Sequence, residues 1–399
     1  MQKQTGAILL VAGTCIGSGM IALPLVLARI GLLPSVFIML LMWAIIYYTA
    51  LINLEINLQA GKASSLGELG RKFSGKIAEL IGTSSFKILS FSLVAVYIYG
   101  GSSVLQTMME GPSFIKIASI YALISTILLI LPIKIVDYVN RALFMGLLGV
   151  ISILVAGLVA EINWTNLPLF ASGYNNISSW VIIAPIVFTA FGFHGSLPTL
   201  INYCNNNQKM LKNVFLWGCF IPSMVYIIWT CSILSVIHND SPALYQKMTT
   251  SNVEVGELIK ELSLIVDSKY VQLLVWWISL LAIVTSLLGV GISLCETIRN
   301  NIESKINNHI ISRVAAACIT ILPAYLMAIW IPNAFISVLG FAGMILVIIA
   351  ILLPIYLLKK AKVTTLFCKE LKDNSLIISV ALIGIIIILC EIMNMLPTS

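Results

Sequence analysis

Gly13-Thr14-Cys15-Ile16-Gly17-Ser18-Gly19-Met20-Ile21-Ala22-Leu23-Pro24 is the stretch of this sequence best suited to polar chemistry, although none of its residues is charged. It lies in an uncharged run from Gln4 to Ala28, long enough to cross a bilayer as a helix. Three glycines within seven residues, followed by Pro24, weaken that helix at its centre. In lipid, broken backbone persists only where protein, water or a bound polar ligand satisfies the freed N–H and C=O groups. Such a break offers an anion the N–H groups and positive dipole end of a half-helix starting after Gly19. It offers a cation the carbonyls around Thr14 to Gly17. The hydroxyls of Thr14 and Ser18 either join that site or bond back to their own helix. Gly13 and Gly17 also fit a close-packing face of the Gly-x-x-x-Gly kind. Gly19 and Pro24 are not needed for such a face, so a ligand-lined break that includes Met20 is the stronger reading.

A second stretch repeats the pattern: Phe191-Gly192-Phe193-His194-Gly195-Ser196-Leu197-Pro198. Phe191 and Phe193 flank Gly192 and could form the faces of an aromatic pocket, although aromatic pairs in spans also face lipid or pack. His194 is the one histidine within an expected span, and an ionisable group at mid-depth is a functional candidate. Near the start of a half-helix it suits the neutral imidazole, which can hydrogen-bond a hydroxyl or an indole N–H. Tyr97, Tyr99 and Gly100 in the third span could close a pocket, with interface anchoring as the commoner role for tyrosine. Ala282, Thr285 and Ser286 set a carbonyl and two hydroxyls on one helical face of the eighth span. Glu55 and Glu296 lie near span ends, placed either for proton carriage or for reaching the interface.

The elements that must position these residues are membrane spans. The chain has 399 residues, 59% hydrophobic and 10% charged, with a mean hydropathy of +1.03. That composition excludes a soluble globular protein, and no polar segment is long enough to bury a core of its own. Eleven spans are expected, near 6–29, 32–58, 87–109, 114–133, 142–160, 178–202, 213–236, 270–297, 313–331, 333–358 and 376–396. With the N-terminus in the cytoplasm, eighteen of the 23 Lys and Arg residues fall on the inside and five outside. The positive-inside rule is then obeyed and the C-terminus lies outside. The net charge of +7 therefore reflects orientation rather than nucleic-acid binding. The eight cysteines are scattered, without Cys-x-x-Cys spacing, and read as packing residues. The first span has no small-residue cleavage pattern and is expected to be retained.

The spans divide as two sets of five, residues 1–160 and 161–358, followed by a cytoplasmic linker and an extra helix over 359–399. An odd count inverts the second set against the first. Each set opens on an interrupted span and carries a long connector after its second span. Both connectors contain Gly-Glu-Leu, at 67–69 and 256–258. Paired interruptions in two inverted halves point to a transporter's substrate site at the bilayer midplane.

These motifs resemble a known family. The Gly13–Pro24 and Phe191–Pro198 stretches are similar to the first- and sixth-span signatures of the bacterial hydroxy and aromatic amino acid permeases, and Glu55-Ile56-Asn57-Leu58 to their second-span ending. These permeases, tyrosine- and tryptophan-specific ones among them, belong to the amino acid/polyamine/organocation superfamily. The resemblance covers nearly the whole chain. It implies an all-α membrane protein of the leucine-transporter type, with five plus five inverted helices and one extra, and helices 1 and 6 broken. It implies import of an aromatic amino acid across the bacterial inner membrane by alternating access. Thr14, Gly17, Ser18, Gly19, Met20, Tyr97, Tyr99, Gly100, Phe191, Gly192, Phe193 and His194 then stand around the substrate.

The coupling ion divides the readings. The family resemblance favours a proton, carried by Glu55 or His194. The first-span carbonyls of Gly13 and Ile16, with Ala282, Thr285 and Ser286, resemble the sodium site of leucine-transporter-type proteins, and neutral oxygens suit a hard cation. No cofactor and no resident metal is expected. Lipid and the substrate are the expected partners. An enzyme would need clustered acids, histidines or cysteines in its spans, and none occurs. A channel is the nearer rival, since it too lines water with polar backbone.

Overall fold

The computed structural model describes residues 2–109, 111–251, 253–265, 269–303, 308–331, 334–361 and 365–396. These residues form helices and no strand. Helices α1 (Gln2–Cys15) and α2 (Ser18–Leu27) meet at a 50° bend. The chain turns at Gly31 into α3 (Leu32–Ala60). Gly31 has φ 83°, and a Cβ there would meet the backbone of Leu169, Phe170 and Ala171. That close approach lets Leu32 N and Leu33 N donate to the carbonyls of Pro168 and Leu169, pinning the 163–171 loop across the bundle end. Next come α4 (Leu66–Ser74), α5 (Lys76–Met108), α6 (Phe114–Ile130) and α7 (Ile133–Glu161). A Ser65–Glu68 capping box starts α4 by satisfying two backbone amides reciprocally.

The second set opens with α8 (Ile177–Ala190), a 3-10 turn over His194–Ser196 and α9 (Leu197–Tyr203). It continues through α10 (Gln208–Asp240), the short α11 (Pro242–Thr250) and α12 (Val255–Ile265), α13 (Lys269–Glu303) and α14 (His309–Trp330). Helix α15 (Ala334–Val347) runs through a π-helical turn at Ile348–Leu352 into α16 (Leu353–Lys360), and α17 (Asn374–Met395) follows. Each expected hydrophobic run falls on one of these helices or helix pairs. Nine helical stretches among the described residues are long and apolar enough to cross a membrane, ten with the bent α1–α2 pair, and α6 is a shorter apolar helix. Helix α5 begins at Lys76, well before the run expected from 87, because its helix outlasts its apolar stretch.

Helix α5 is the central post, in contact with α4, α6, α12, α13, α14 and α15. Helices from the first and second halves of the chain also touch: α2 with α8, α3 with α10, α5 with α13, and α6 with α14. The Gly-Glu-Leu connectors both rest on α5, Gly67 beside Thr83 and Gly256 beside the Ser103 carbonyl and Thr107. Around this core, α6, α7, α14 and α17 turn apolar side chains outward, among them Ile120, Leu123, Met145, Leu322, Ile386 and Leu389. An apolar outer ring is what a bilayer solvates.

Prolines inside helices create carbonyls without an intrahelical donor, and neighbouring helices answer them. Pro185 withdraws the donor for Val181 O, which accepts Asn394 Nδ2 from α17 at 3.1 Å. Pro354 has no N–H for the π turn, and Asn53 Nδ2 of α3 approaches Ala350 O at 3.5 Å. Thr189 Oγ1 lies 2.7 Å from Pro185 O and 3.1 Å from Leu339 O, clasping α8 to α15 where Gly343 removes the intervening side chain. A Cβ at Gly343 would overlap Pro185 O, so Gly343→Leu is expected to cost ~1–3 kcal/mol by overpacking. The measurement is the thermal unfolding midpoint in detergent, which should fall well below that of the parent protein.

Candidate functional site

The two interruptions meet. Helix α1 ends at Cys15 and α2 begins after Gly17, while α8 ends at Ala190 and the chain runs irregularly to His194. Gly19 faces Ala190: a Cβ there would lie 2.8 Å from Ala190 Cβ and 3.3 Å from Tyr226 Oη. Tyr226 of α10 is fully buried, and its hydroxyl lies 2.5 Å from Cys15 O and 2.9 Å from Ala190 O. One phenolic group thus serves the last carbonyl of each interrupted helix. Cys15 Sγ, 3.6 Å from Phe191 O, adds a weak donor across the same junction. Burial of a polar group without a partner costs ~1–3 kcal/mol on mutational scales, so these contacts decide whether the junction holds.

Gly17 caps α2 without a side chain to satisfy the first-turn amides, so Ser18 and Gly19 bring backbone N–H groups to the junction. Met20 is buried, and its N–H reaches Gly17 O at 3.0 Å. The Ser18 side chain lies outside the described residues. Thr14 is exposed and donates to Leu10 O at 2.7 Å, bonding back to its own helix. Gly13 faces the ring of Phe144 on α7.

Phe191 and Phe193 are buried, Phe191 edge-on to Tyr226 at 5.2 Å and Phe193 beside Phe215 at 5.8 Å. Gly192 lets Leu346 of α15 close on the chain. His194 is 4% exposed, and its Nε2 lies 3.0 Å from Thr49 Oγ1. Thr49 Oγ1 is also 3.0 Å from Ile46 O, an atom that can only accept. The network is satisfied when Thr49 donates to Ile46 and accepts from His194 Nε2–H. Nδ1 is then the unprotonated nitrogen, and it has no partner among the described residues.

Three candidates from α5 divide. Tyr97 is buried, and Gly100 packs against Phe335 and Ile283. Tyr99 donates to Glu254 Oε1 at 2.9 Å, joining α5 to the segment that leads into α12.

The α13 group sits at the first interruption. A Cβ on Gly17 would overlap Ser286 Oγ and approach Ala282 O. Ser286 donates to Ala282 O at 2.8 Å and Thr285 to Leu281 O at 2.8 Å. With their protons spent on their own helix, both hydroxyls keep lone pairs for a cation. Ile16, which precedes Gly17, is buried, with its N–H on Ala12 O.

Glu55 is not among the residues that meet at the interruptions. It is fully buried and accepts from Gln59 Nε2 at 2.8 Å, Phe367 N at 3.2 Å and Cys368 N at 2.7 Å. Its carboxylate thereby fastens the linker before α17 to the end of α3. Lys212 of α10 holds the same linker through Glu370 at 2.6 Å. Burial opposes ionisation of Glu370, but the Lys212 hydrogen bond, a backbone hydrogen bond and the charges of Lys212 and Lys369 together outweigh it and keep the carboxyl below its ordinary range. The Cys368 thiol is pushed up to about 12, first by burial. Glu296 pairs with Arg299 at 2.9 Å.

Sequence reasoning missed Tyr226, together with Ser223 and Thr230 one turn to either side of it. Both hydroxyls are fully buried and have no partner among the described residues. A tyrosine in a long apolar span carries no signal of its own.

Interrupted helices that meet inside an apolar bundle are a feature many membrane transporters share. The match to known proteins agrees. The chain belongs to the tryptophan/tyrosine permease family, whose model matches residues 1–391. It is 32% identical over 365 residues to tyrosine-specific transport system 1 of Haemophilus influenzae, covering 91% of this chain and 89% of that protein. It is 29% identical over 378 residues to glutamine transporter 2 of Aliivibrio fischeri, covering 93% and 91%. It is 25% identical over 407 residues to the low affinity tryptophan permease of Escherichia coli K12, covering 98% and 96%.

Tyr226→Phe removes the donor shared by Cys15 O and Ala190 O while keeping the ring. The expected loss is ~1–3 kcal/mol, measured as a lower unfolding midpoint in detergent. Tyr203→Phe, on the half-exposed end of α9, should leave the midpoint near that of the parent.

Proposed function

We propose that this chain is a secondary active transporter of the bacterial inner membrane that imports tyrosine, tryptophan or phenylalanine together with a cation. The observation that carries this reading is the convergence of the two interrupted helices on Tyr226, in a chain of the tryptophan/tyrosine permease family. A substrate carboxylate would take the first amides of α2, and its ammonium the carbonyls at the end of α1. Phe191 and Phe193 would line the side-chain pocket after turning from Tyr226 and Phe215.

The architecture proposed is the leucine-transporter type: eleven spans, with repeats over 1–160 and 161–358 and the extra helix within 359–399. Contacts between corresponding helices of the two sets support it, as do α4 and α11–α12 at equivalent connectors. The bias of Lys and Arg supports a cytoplasmic N-terminus and an outside C-terminus. Alternating access is then a rocking of one set of helices against the other around the junction.

For the coupling ion we propose a proton. His194, at the second interruption, is the better-placed carrier, because Glu55 already accepts three N–H donors at the linker. Sodium is the second reading, favoured by the position of Ser286 and Ala282 against Gly17.

Proteoliposomes under an imposed pH gradient or an imposed sodium gradient separate these readings. The pH gradient alone should drive accumulation of labelled tyrosine, with tryptophan and phenylalanine competing better than glutamine. His194→Ala should weaken apparent affinity by ~1–3 kcal/mol, and Gly17→Leu should abolish uptake in a chain that still inserts. Accumulation driven by sodium alone, and lost in Thr285→Ala with Ser286→Ala, would overturn proton coupling. Preferential uptake of glutamine would overturn the substrate class, and uptake without stimulation by internal substrate would favour a channel.

A further inference from the structure

We propose that the cavity beneath the last turns of α17 is a second binding site, for a ligand that presents a primary ammonium group on an apolar body. The cavity has a volume of ≈ 550 Å³ between α8, α14, α15 and α17. Ile186, Met327 and Phe341 supply apolar wall, and Ser337, Glu391 and Asn394 supply the polar groups. None of these residues takes part in the junction of the interrupted helices.

Glu391 is the unexplained member. It is 3% exposed, inside a bundle whose surroundings are apolar. Asn394 Nδ2 donates to its Oε2 at 3.2 Å, and that is its one hydrogen bond among the described residues. Asn394 is needed without it, because the same amide nitrogen serves Val181 O, the carbonyl orphaned by Pro185. Its two N–H groups are thus both committed, and no further donor reaches the carboxylate from that side chain. No described Lys, Arg or His lines the cavity. Gly340 leaves Glu391 room against α15, since a Cβ there would press on both carboxylate oxygens.

Ionising a buried carboxyl that has a single neutral donor is costly, and a cationic partner entering the cavity would offset that cost. The cavity provides the space for that partner, within the size range of small-ligand pockets. Its walls define the rest of the ligand: one cationic head with several N–H donors for Glu391, then an alkyl or aryl body. No basic side chain in the wall would hold an accompanying anion. The site lies at the bundle end formed by the last turns of α14 and α17, next to the outward-facing Leu389 and Met393. Two sources carry this chemistry to that place, an aminophospholipid headgroup from the surrounding bilayer and a soluble arylalkylamine.

The test uses the purified full chain and two probes. In one arm, nanodiscs containing equal phosphatidylethanolamine and phosphatidylglycerol are examined by native mass spectrometry for retained lipid. In the other, 2-phenylethylammonium is titrated calorimetrically into detergent-solubilised protein. The parent should bind at least one probe, and Glu391→Gln should weaken that binding about 10- to 100-fold, as loss of a charged hydrogen bond does. Ser337→Leu, which keeps the carboxylate but fills the cavity, should weaken it as well and guards against a folding defect in the first variant. Selective retention of phosphatidylethanolamine assigns the site to lipid, and binding of 2-phenylethylammonium without lipid selectivity assigns it to soluble amines. Binding of neither probe by the parent, or equal binding by Glu391→Gln and Ser337→Leu, would overturn the proposal.

Discussion

A carbonyl that loses its intrahelical donor inside a membrane has to find another on a neighbouring helix, and the tertiary structure of this permease is arranged around that constraint. Cys15 O and Ala190 O share the hydroxyl of Tyr226. Val181 O takes Asn394, and Ala350 O is approached by Asn53. In each case the chain is interrupted on one element and repaired from another, so the interruption itself specifies which helices are neighbours. Lipid contributes nothing to such pairing by hydrophobicity, because hydrocarbon and leucine side chains solvate each other equally well.

The same constraint leaves polar backbone in the interior. Amides at the start of α2 and carbonyls at the end of α1 remain polar in an interior with no charged side chain between Gln4 and Ala28. That polarity comes from backbone alone and buries no protein charge, which is the costly alternative in a low-dielectric interior. Helix α13 borders this junction at Gly17 with hydroxyls whose protons are already engaged. The linker lies elsewhere, tied by Glu55 to α3 and by Lys212 to α10.

How much of this was legible in the sequence depended on whether the signal was carried by residue type. Glycines with a proline mark both stretches where the helices part, and the structure sets Ser286 and the Ala282 carbonyl against Gly17. Hydropathy located the helices because apolar length is a direct physical requirement of crossing a bilayer. Glu55 was visible as an acid near a span end, but its partners are backbone amides of residues 367 and 368, which have no sequence signature. Tyr99 read equally as pocket wall or interface anchor, and its engagement with Glu254 depends on how the segment before α12 returns to α5. Tyr226 was invisible for the opposite reason: one hydroxyl on an apolar helix acquires meaning only when two distant chain ends arrive beside it.

The π turn at Ile348–Leu352 divides the continuous helix formed by α15 and α16 into two parts. One residue more than an α-helix requires advances every later side chain by about 100° around the axis. Gly343 and Leu346, before the turn, address α8 and the residues after it, while Tyr356, beyond the turn, reaches Ser74 of α4. That helix is therefore two helical faces joined out of phase, and a single amphipathic wheel drawn through 334–360 mixes them. Deleting one residue within the turn would restore regular winding and leave Tyr356 facing Ser74, so the bulge absorbs one residue without turning the helix beyond it.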